Sequence, residues 1–181
     1  MTPPSDVGDR IAETALHLLR SSGPRSVTVQ AVQAHSGVAK TTIYRRYRDR
    51  RDMLRTALTQ LISATPAPPR ADATARLHWL IGQAVGAIGD GIGFGGFASL
   101  LTEEDPEFSG LFREVLVAQR AGLVTVIEEM KGDGDMGPHA DPDMLIDAIV
   151  GAYIAERART GHVQDDWESR LIAMWWPAPQ N

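Results

Sequence analysis

The sequence has no cysteine and no long apolar run, and each absence excludes a class of protein. Without cysteine, disulfide scaffolds, zinc–cysteine sites and cysteine nucleophiles are excluded, which fits a reducing compartment. The purely apolar runs are a few residues long, and the N-terminus MTPPSDVGDR carries acids where a secretory signal carries positive charge. These features predict a soluble protein of the cytoplasm with no membrane partner.

A strand pattern is also missing, because no useful length of the chain alternates apolar and polar residues. Apolar residues recur instead at helical spacing, and their share of 43% is enough for one compact body or two small ones. Helical stripes begin near Ile11, Val29, Lys40, Met53, Leu77, Phe108, Met144 and Trp167. The sequence therefore predicts an all-α fold.

Local signals define the ends of the first four helices. The stretch from Ser21 to Pro24 interrupts the first stripe, and Thr28 is placed to cap the second helix. The third helix is predicted to be short, over about residues 40–47. Asp49 is placed to cap the fourth helix, with Asp52 three residues later in a capping-box position.

A domain boundary is predicted at Thr65–Pro69, which contains three prolines and cannot continue a helix. The charge changes sign at the same place: the net charge is +5 over residues 1–62 and −10 over residues 63–181. One end of the protein is thus expected to face polyanions that the other end repels. We predict two domains, over residues 1–63 and 70–181.

A helix, a glycine-containing turn and a short basic helix follow one another after Thr28, as in the helix-turn-helix that fits the major groove of DNA. The basic segment reads KTTIYRRYRDRR from Lys40, with Asp49 as its one acid. Arg50 and Arg51 fall in the first turn of the fourth helix, where the helix dipole disfavours cations by roughly a few tenths of a kcal/mol. A bound phosphate would reverse that penalty. A solvated basic surface helix is the alternative.

The segment TVQAVQAHSGVAKTTIYRRYRDRRDML, from Thr28 to Leu54, resembles the helix-turn-helix of TetR-type transcriptional regulators, with the helix-turn-helix at about residues 28–47. The resemblance implies an all-α protein with an N-terminal three-helix DNA-binding domain and a C-terminal helical domain for ligand binding and dimerisation. It also implies phosphate contacts by Thr28, Tyr44 and Arg50, and base contacts by the recognition helix. The predicted DNA-binding residues are Thr28, Lys40, Thr41, Thr42, Tyr44, Arg45, Arg46, Tyr47 and Arg50.

The sequence departs from the family pattern at several of these positions. Thr41 stands where the family often has Gly, and Arg46 stands where it has His before the aromatic residue. Arg45 and Arg46 can each read guanine bidentately or hold a phosphate. The operator sequence is therefore left open.

The C-terminal part resembles the same family more loosely, through Val150–Ile154, Thr160–Val163 and a final amphipathic helix. In such regulators the last two helices pair with those of a second subunit. The interface candidates are Ile149, Tyr153, Trp167, Leu171 and Trp175, with Trp176 beside them; ordinary core is an equal alternative. The candidates for an effector pocket are Trp79, Phe94, Phe97, Phe108, Phe112 and Tyr153, and core is again the alternative.

Weaker motifs point to other chemistry but lack its context. Gly91–Gly96 satisfies G-x-G-x-x-G, yet no strand is predicted before it, so a flexible connector is favoured over a nucleotide site. The groups beginning at His139 and at His162 contain metal-ligand types, but polar loops and helix caps explain them better. No cofactor, metal site or catalytic residue is predicted.

We therefore predict a homodimeric, ligand-responsive transcriptional repressor that binds a palindromic operator. The acidic C-terminal domain with its aromatic residues favours a small apolar effector that is uncharged or cationic. Two alternatives stay open at this point: an enzyme that holds a nucleotide cofactor at Gly91–Gly96, and a DNA-binding protein without a small-molecule effector.

Overall fold

The computed structural model of the protein describes residues 6–61 and 66–175, and within these ranges it contains helices and no strand. The all-α prediction is confirmed. The α-helices are α1 (Val7–Ser22), α2 (Val29–Ser36), α3 (Lys40–Arg46), α4 (Arg50–Gln60), α5 (Ala73–Gly86), α6 (Gly93–Leu101), α7 (Pro106–Asp133), α8 (Pro142–Thr160) and α9 (Trp167–Trp175). A 3-10 turn covers Pro24–Ser26 and a π-helical turn covers Ala87–Ile92. The predicted extension of α4 to Ile62, the interface candidate Trp176 and the expected stop at Pro177 lie outside the described residues.

The predicted helix caps are present in the structure. Thr28 Oγ1 accepts a hydrogen bond from the Ala31 N–H at 3.1 Å, and α2 ends at Gly37 with φ 68°. Such a positive φ favours glycine because the residue has no Cβ. Asp49 accepts from the Asp52 N–H at 2.8 Å, whereas the Asp52 carboxylate accepts from Arg48, one residue earlier than in a capping box. The start of α4 is thus capped by two acids.

The first compact unit consists of Met1–Thr65 and Gly86–Gln119. Its core joins the first four helices to α6 and the start of α7 through apolar side chains that are almost entirely buried. These side chains include Ile11, Leu19, Ile43, Met53, Leu58, Ile92, Phe108 and Phe112. Residues of α6 and of the start of α7 therefore complete the core against which the helix-turn-helix packs.

The second compact unit consists of Pro66–Val85 and Arg120–Asn181. Its core is built from α5, the second half of α7, α8 and α9, and includes Leu80, Ile81, Ile127, Met130, Ile146, Ile149 and Trp167. The two units are defined by which residues pack together, and packing does not show which unit binds DNA or an effector. The division into a DNA-binding domain over residues 1–63 and an effector domain over residues 70–181 stays a prediction.

The glycine-rich segment Gly91–Gly96 is helical, so the expected flexible connector is wrong. It belongs to the end of the π-helical turn and the start of α6. Each glycine costs a helix about 1 kcal/mol relative to alanine, and burial of the neighbouring Ile88, Ile92 and Leu100 offsets that cost. By length and composition alone, the helical stretch Ala73–Thr102 is long and apolar enough to cross a membrane. An 18-residue window within it has a mean hydropathy of 1.4, and 44% of that window is buried inside the protein.

Candidate nucleic-acid interface

The recognition helix α3 is fixed by a few buried residues. Ile43 is fully buried, and Val32, Val38 and Tyr47 are at most 5% exposed in the same core. Burial raises the pKa of Tyr47, partly offset by the nearby Arg46 charge. Tyr47, predicted to bind DNA, therefore lies in the core that supports α3.

The opposite face of α3 is directed outward. Lys40, Thr41 and Arg45 are exposed, and Thr42 is half-buried. Tyr44 is 52% exposed, with the Lys40 Nζ 5.7 Å from its ring centroid. The exposed face combines two cations, hydroxyl groups and an aromatic ring. These groups can donate hydrogen bonds to base edges and phosphates.

A groove of about 450 Å³ lies beside this face and has a mixed polar and apolar lining. It brings the first residues of α2 and α4 next to α3. The groove is lined by Val29, Gln30, Lys40, Tyr44, Arg48, Asp49 and Arg50. The N-terminal turns of helices carry N–H groups without partners inside the helix, so they favour anions.

Arg46 is held at the rim of α3 by the start of α1. Its guanidinium forms an ion pair with Asp6 and packs over Gly8, where an added Cβ would lie 2.8 Å from the Arg46 Nη2. Val7, Thr42, Arg45 and Arg46 line a smaller hollow of about 170 Å³. The two neighbouring arginines therefore differ: Arg45 projects outward and Arg46 is tied to α1.

Arg50 is engaged inside the first unit. Its Nε donates to the Val27 carbonyl at 2.8 Å, and its Nη2 donates to the Pro24 carbonyl at 2.7 Å and to Asp105 Oδ2 at 2.5 Å. Its Nη1 donates to the Glu107 carboxylate. The side chain predicted to touch phosphate thus has four acceptors within the protein.

Other basic residues of α1 to α4 also meet acids from residues 104–114. Arg25 binds the Glu104 carbonyl, and Arg51 and Arg55 lie 3.6 and 3.3 Å from the Glu114 carboxylate. Ten basic and five acidic residues in 1–65 are joined by one basic and six acidic residues in 86–119. The first unit is therefore electrically neutral, and Lys40 and Arg45 of α3 are among the cations that have no ion pair within the described residues.

The comparisons with known proteins agree with this geometry. The sequence model described as "Bacterial regulatory proteins, tetR family" matches residues 11–57, which contain the whole helix-turn-helix. The N-terminal part of the chain therefore carries the sequence pattern of the TetR-family helix-turn-helix. A comparison with curated protein sequences gives no match.

Two solved structures resemble this chain over nearly its full length. The fatty acid degradation regulator FadR from Bacillus halodurans has a TM-score of 0.62 and 16% identity, covering 96% of this chain and 97% of its own. A putative fatty acid metabolism regulator from Clostridium perfringens has a TM-score of 0.60 and 14% identity, covering 92% and 96%. At these identities the likeness shows the fold of the chain and nothing more.

The six aromatic pocket candidates are divided between the two units of the protein. Phe108 and Phe112 are fully buried and stacked, with ring centroids 5.7 Å apart, and Phe97 packs against the same core of the first unit. Phe94 is half-buried on α6. Trp79 and Tyr153 pack against the core of the second unit.

The five interface candidates hold α8 and α9 together inside the second unit. Ile149, Trp167 and Leu171 are buried, and Tyr153 meets Trp167 edge-on with ring centroids 5.3 Å apart. Trp175 is half-buried. These residues therefore supply packing contacts between α8 and α9 inside the second unit.

The outer surface of the α8–α9 pair was missed by sequence reasoning. Met144 and Met174 are 66% and 63% exposed, and the small residues of α8 follow Met144 at alternating spacings of four and three. This stripe comprises Met144, Ala148, Gly151, Ala155 and Ala158. An apolar groove of about 340 Å³ lies between α8 and α9 and includes Ala155 and Met174. The heptad spacing was a readable signal, because it is typical of helices that pack against other helices.

The glycine segment has a contact with α1 that sequence reasoning also missed. The Nη1 of Arg20 donates to the carbonyls of Asp90 at 2.8 Å and Gly91 at 3.1 Å, in the π-helical turn. Such turns leave carbonyls without their usual partners and often occur at functional sites. Gly93 follows with φ 71°. Within the described ranges, no group of three or more acidic or histidine residues is placed to hold a metal ion.

Proposed function

We propose that this protein is a cytoplasmic, ligand-responsive transcriptional repressor that binds a palindromic operator as a homodimer. The observation that carries the proposal is the outward face of α3, with Lys40, Tyr44 and Arg45 exposed on a helix fixed by buried Ile43. The TetR-family match over residues 11–57 supports the same function. In such a dimer, two recognition helices enter major grooves roughly 34 Å apart.

The proposed DNA contacts follow the exposure of each side chain. Lys40, Thr41, Thr42 and Arg45 read base edges, while Thr28 and Tyr44 contact phosphates beside the groove. Arg46 and Tyr47 act on the same interface by supporting α3 from its rim and from its core.

DNA binding can be tested by sequencing the genomic fragments that the purified protein selects and titrating one of them at several salt concentrations. We expect affinity to fall steeply with salt, because each phosphate contact releases a counterion. Lys40→Ala should lower affinity for the selected fragment and relax the preference for one base, because Lys40 is proposed to read a base edge. The matched control is Arg113→Ala, which removes an exposed cation that pairs with Glu103. Affinity independent of salt would refute the proposal.

The proposed dimer surface is the exposed stripe of α8, from Met144 to Ala158, together with Met174 of α9. Small residues at heptad spacing allow two helices to approach closely, and a two-fold axis buries the same stripe on both subunits. Ala155→Glu should yield a monomer by light scattering at micromolar concentration. Ala121→Glu, on an exposed position of α7, is the matched control. A monomeric wild-type protein would refute the dimer.

The proposed effector is a small apolar molecule without negative charge. The second unit contains seven basic and twelve acidic residues, so it repels anions. Because both structural neighbours are described as regulators of fatty acid processes, acyl compounds are the first to test. A neutral acyl ester should raise the melting temperature more than the free carboxylate of the same chain length. No shift with either compound, or with any in a broad screen, would favour regulation without an effector.

The proposed switch acts through the π-helical turn that Arg20 holds. Effector binding releases DNA only if the effector prefers the conformer that binds DNA poorly, and operator DNA must then weaken effector binding by the same factor. Arg20→Gln removes the charged donor from the turn and should bring this factor closer to one. Measuring effector affinity with and without saturating operator tests both points. Equal affinities in the wild-type protein would refute the switch.

A further inference from the structure

The geometry of Arg50 is unusual for a residue expected to touch DNA. A guanidinium has five N–H donors, and four of them already donate hydrogen bonds to Val27, Pro24, Asp105 and Glu107. The side chain is only 25% exposed, and the Asp105 side chain is only 9% exposed. A phosphate contact would have to compete with these bonds.

The local charge also disfavours a phosphate at this position. Two carboxylates, Asp105 and Glu107, pair with the single cation, so the cluster carries a net charge of −1. Burial acts to raise the pKa of Asp105, but hydrogen bonds from Arg50 and the Phe108 backbone outweigh burial and hold the pKa below its ordinary value. Asp105 is therefore ionised at neutral pH, and the cluster repels an approaching phosphate.

The four partners of Arg50 belong to two other segments of the first unit. Pro24 and Val27 lie immediately before Thr28, the N-cap of α2. Asp105 caps the start of α7, where its Oδ1 accepts from the N–H of the fully buried Phe108 at 3.1 Å. The hydrogen bonds of Arg50 therefore connect the start of α4 to the residues that precede α2 and to the start of α7.

We propose that Arg50 is a positioning residue, whose guanidinium, held by Asp105 and Glu107, orients α2 and α4 so that α3 is presented to DNA without Arg50 itself touching phosphate. This inference rests on the DNA-binding function proposed above. A planar fork is required, because the ammonium of lysine is a compact point charge that cannot reproduce this bidentate geometry.

The decisive experiment compares Arg50→Lys, Asp105→Asn and Glu107→Gln in the full chain on a genomic fragment selected by the wild-type protein. Positioning predicts that each variant loses about tenfold in affinity, from the loss of a charge-assisted hydrogen bond, with an unchanged salt slope. A direct phosphate contact by Arg50 predicts different changes in DNA affinity. Lysine would then retain affinity, and neutralising either acid would strengthen binding.

A double variant tests whether the three residues act as one unit. The affinity of Arg50→Lys/Asp105→Asn should be close to that of the weaker single variant, because breaking the same cluster twice adds little. Binding is measured well below the melting temperature of each variant, after circular dichroism has shown native helicity. Glu107→Gln should disturb the fold least of the three changes, because the Glu107 side chain is 36% exposed. If the other variants fail to fold, the DNA affinity of Glu107→Gln still tests the inference.

Three results would overturn the inference: wild-type affinity in Arg50→Lys, tighter binding in either carboxylate variant, or a lower melting temperature with unchanged affinity in all three. The last result would mean that the cluster stabilises the fold alone. Lys40→Ala and Arg45→Ala are included in the same series. If they leave binding unchanged while the Arg50 cluster variants weaken it, the assignment of α3 as the reading helix fails instead.

Discussion

The two ends of the basic segment from Lys40 to Arg51 have different surroundings in the fold. In the first half, Lys40 stacks on Tyr44 and Arg45 is exposed, and among the described residues neither lies within ion-pair distance of a carboxylate. In the second half every basic residue is paired with an acid. The pairs are Arg46–Asp6, Arg48–Asp52, Arg50 with Asp105 and Glu107, and Arg51–Glu114.

Because the two halves of this basic segment differ in their ion pairs, a run of basic residues in the sequence is not a uniform DNA-binding surface. Paired cations have already exchanged water for a carboxylate, so a phosphate gains less by approaching them. The half without carboxylate partners keeps its full attraction for a polyanion. We therefore expect sequence recognition to reside in the first half and structural support in the second.

The largest effect is expected when the comparison is tested directly on DNA. Arg45→Ala should cost about 1–3 kcal/mol in binding the preferred fragment and relax the choice of base at one position, because a bidentate arginine–guanine contact is lost. Arg51→Ala should cost much less and leave the preferred sequence unchanged. Binding selections with both variants measure the difference. Equal losses would remove the distinction between the two halves.

The next effect extends the comparison to Arg20, another cation that is engaged by the protein itself, through the carbonyls of Asp90 and Gly91. Gly93 has φ 71° beside the Arg20 side chain, whereas nothing lies near an added Cβ at Gly95. Gly93→Ala should lower the free energy of unfolding by about 1–2 kcal/mol, because left-handed backbone is costly for a residue with a Cβ. Gly95→Ala, the matched change in the same helix, should be neutral or stabilising. Urea denaturation of both variants checks this, and equal stabilities would contradict the described turn.

A smaller effect is expected in acid, and it concerns the paired half alone. Because the folded-state pKa of Asp105 is lower than its ordinary value, its contribution to stability is complete above about pH 5 and is lost as the pH falls through 4 and below. The decline should be shallower in Asp105→Asn than in the wild-type protein. Parallel stability curves for the two proteins over that range would show that the pair contributes nothing.

The smallest effect is expected at the most exposed pairs. Glu114 lies 3.6 Å from Arg51 and 3.3 Å from Arg55, with 59% of its side chain exposed. Glu114→Gln should change the free energy of unfolding by about 0.5 kcal/mol or less, because solvent and salt screen such pairs. DNA affinity should rise slightly as two cations lose their partner. A destabilisation above about 1 kcal/mol would place this pair with the buried Arg50 cluster instead.

The helices, their caps and the pattern of buried and exposed residues on α3 could be predicted from the sequence. Thr28, Gly37 and Asp49 act on residues within about one helical turn, so their effect can be read from local spacing. The burial of Ile43 and the exposure of Tyr44 follow from helical periodicity in the same way. For this reason the helix-turn-helix and the all-α fold could be predicted without coordinates.

Which cations of the basic segment pair with acids, and which stay exposed without such a partner, depended on the tertiary structure. Asp6 is 40 residues from Arg46, and Asp105 is 55 residues from Arg50, so no local pattern relates them. The glycine segment became helical because α1 and the core of the first unit cover it, although its glycines predict a connector. The aromatic residues were divided between two cores for the same reason: burial depends on segments that meet only after the chain has folded.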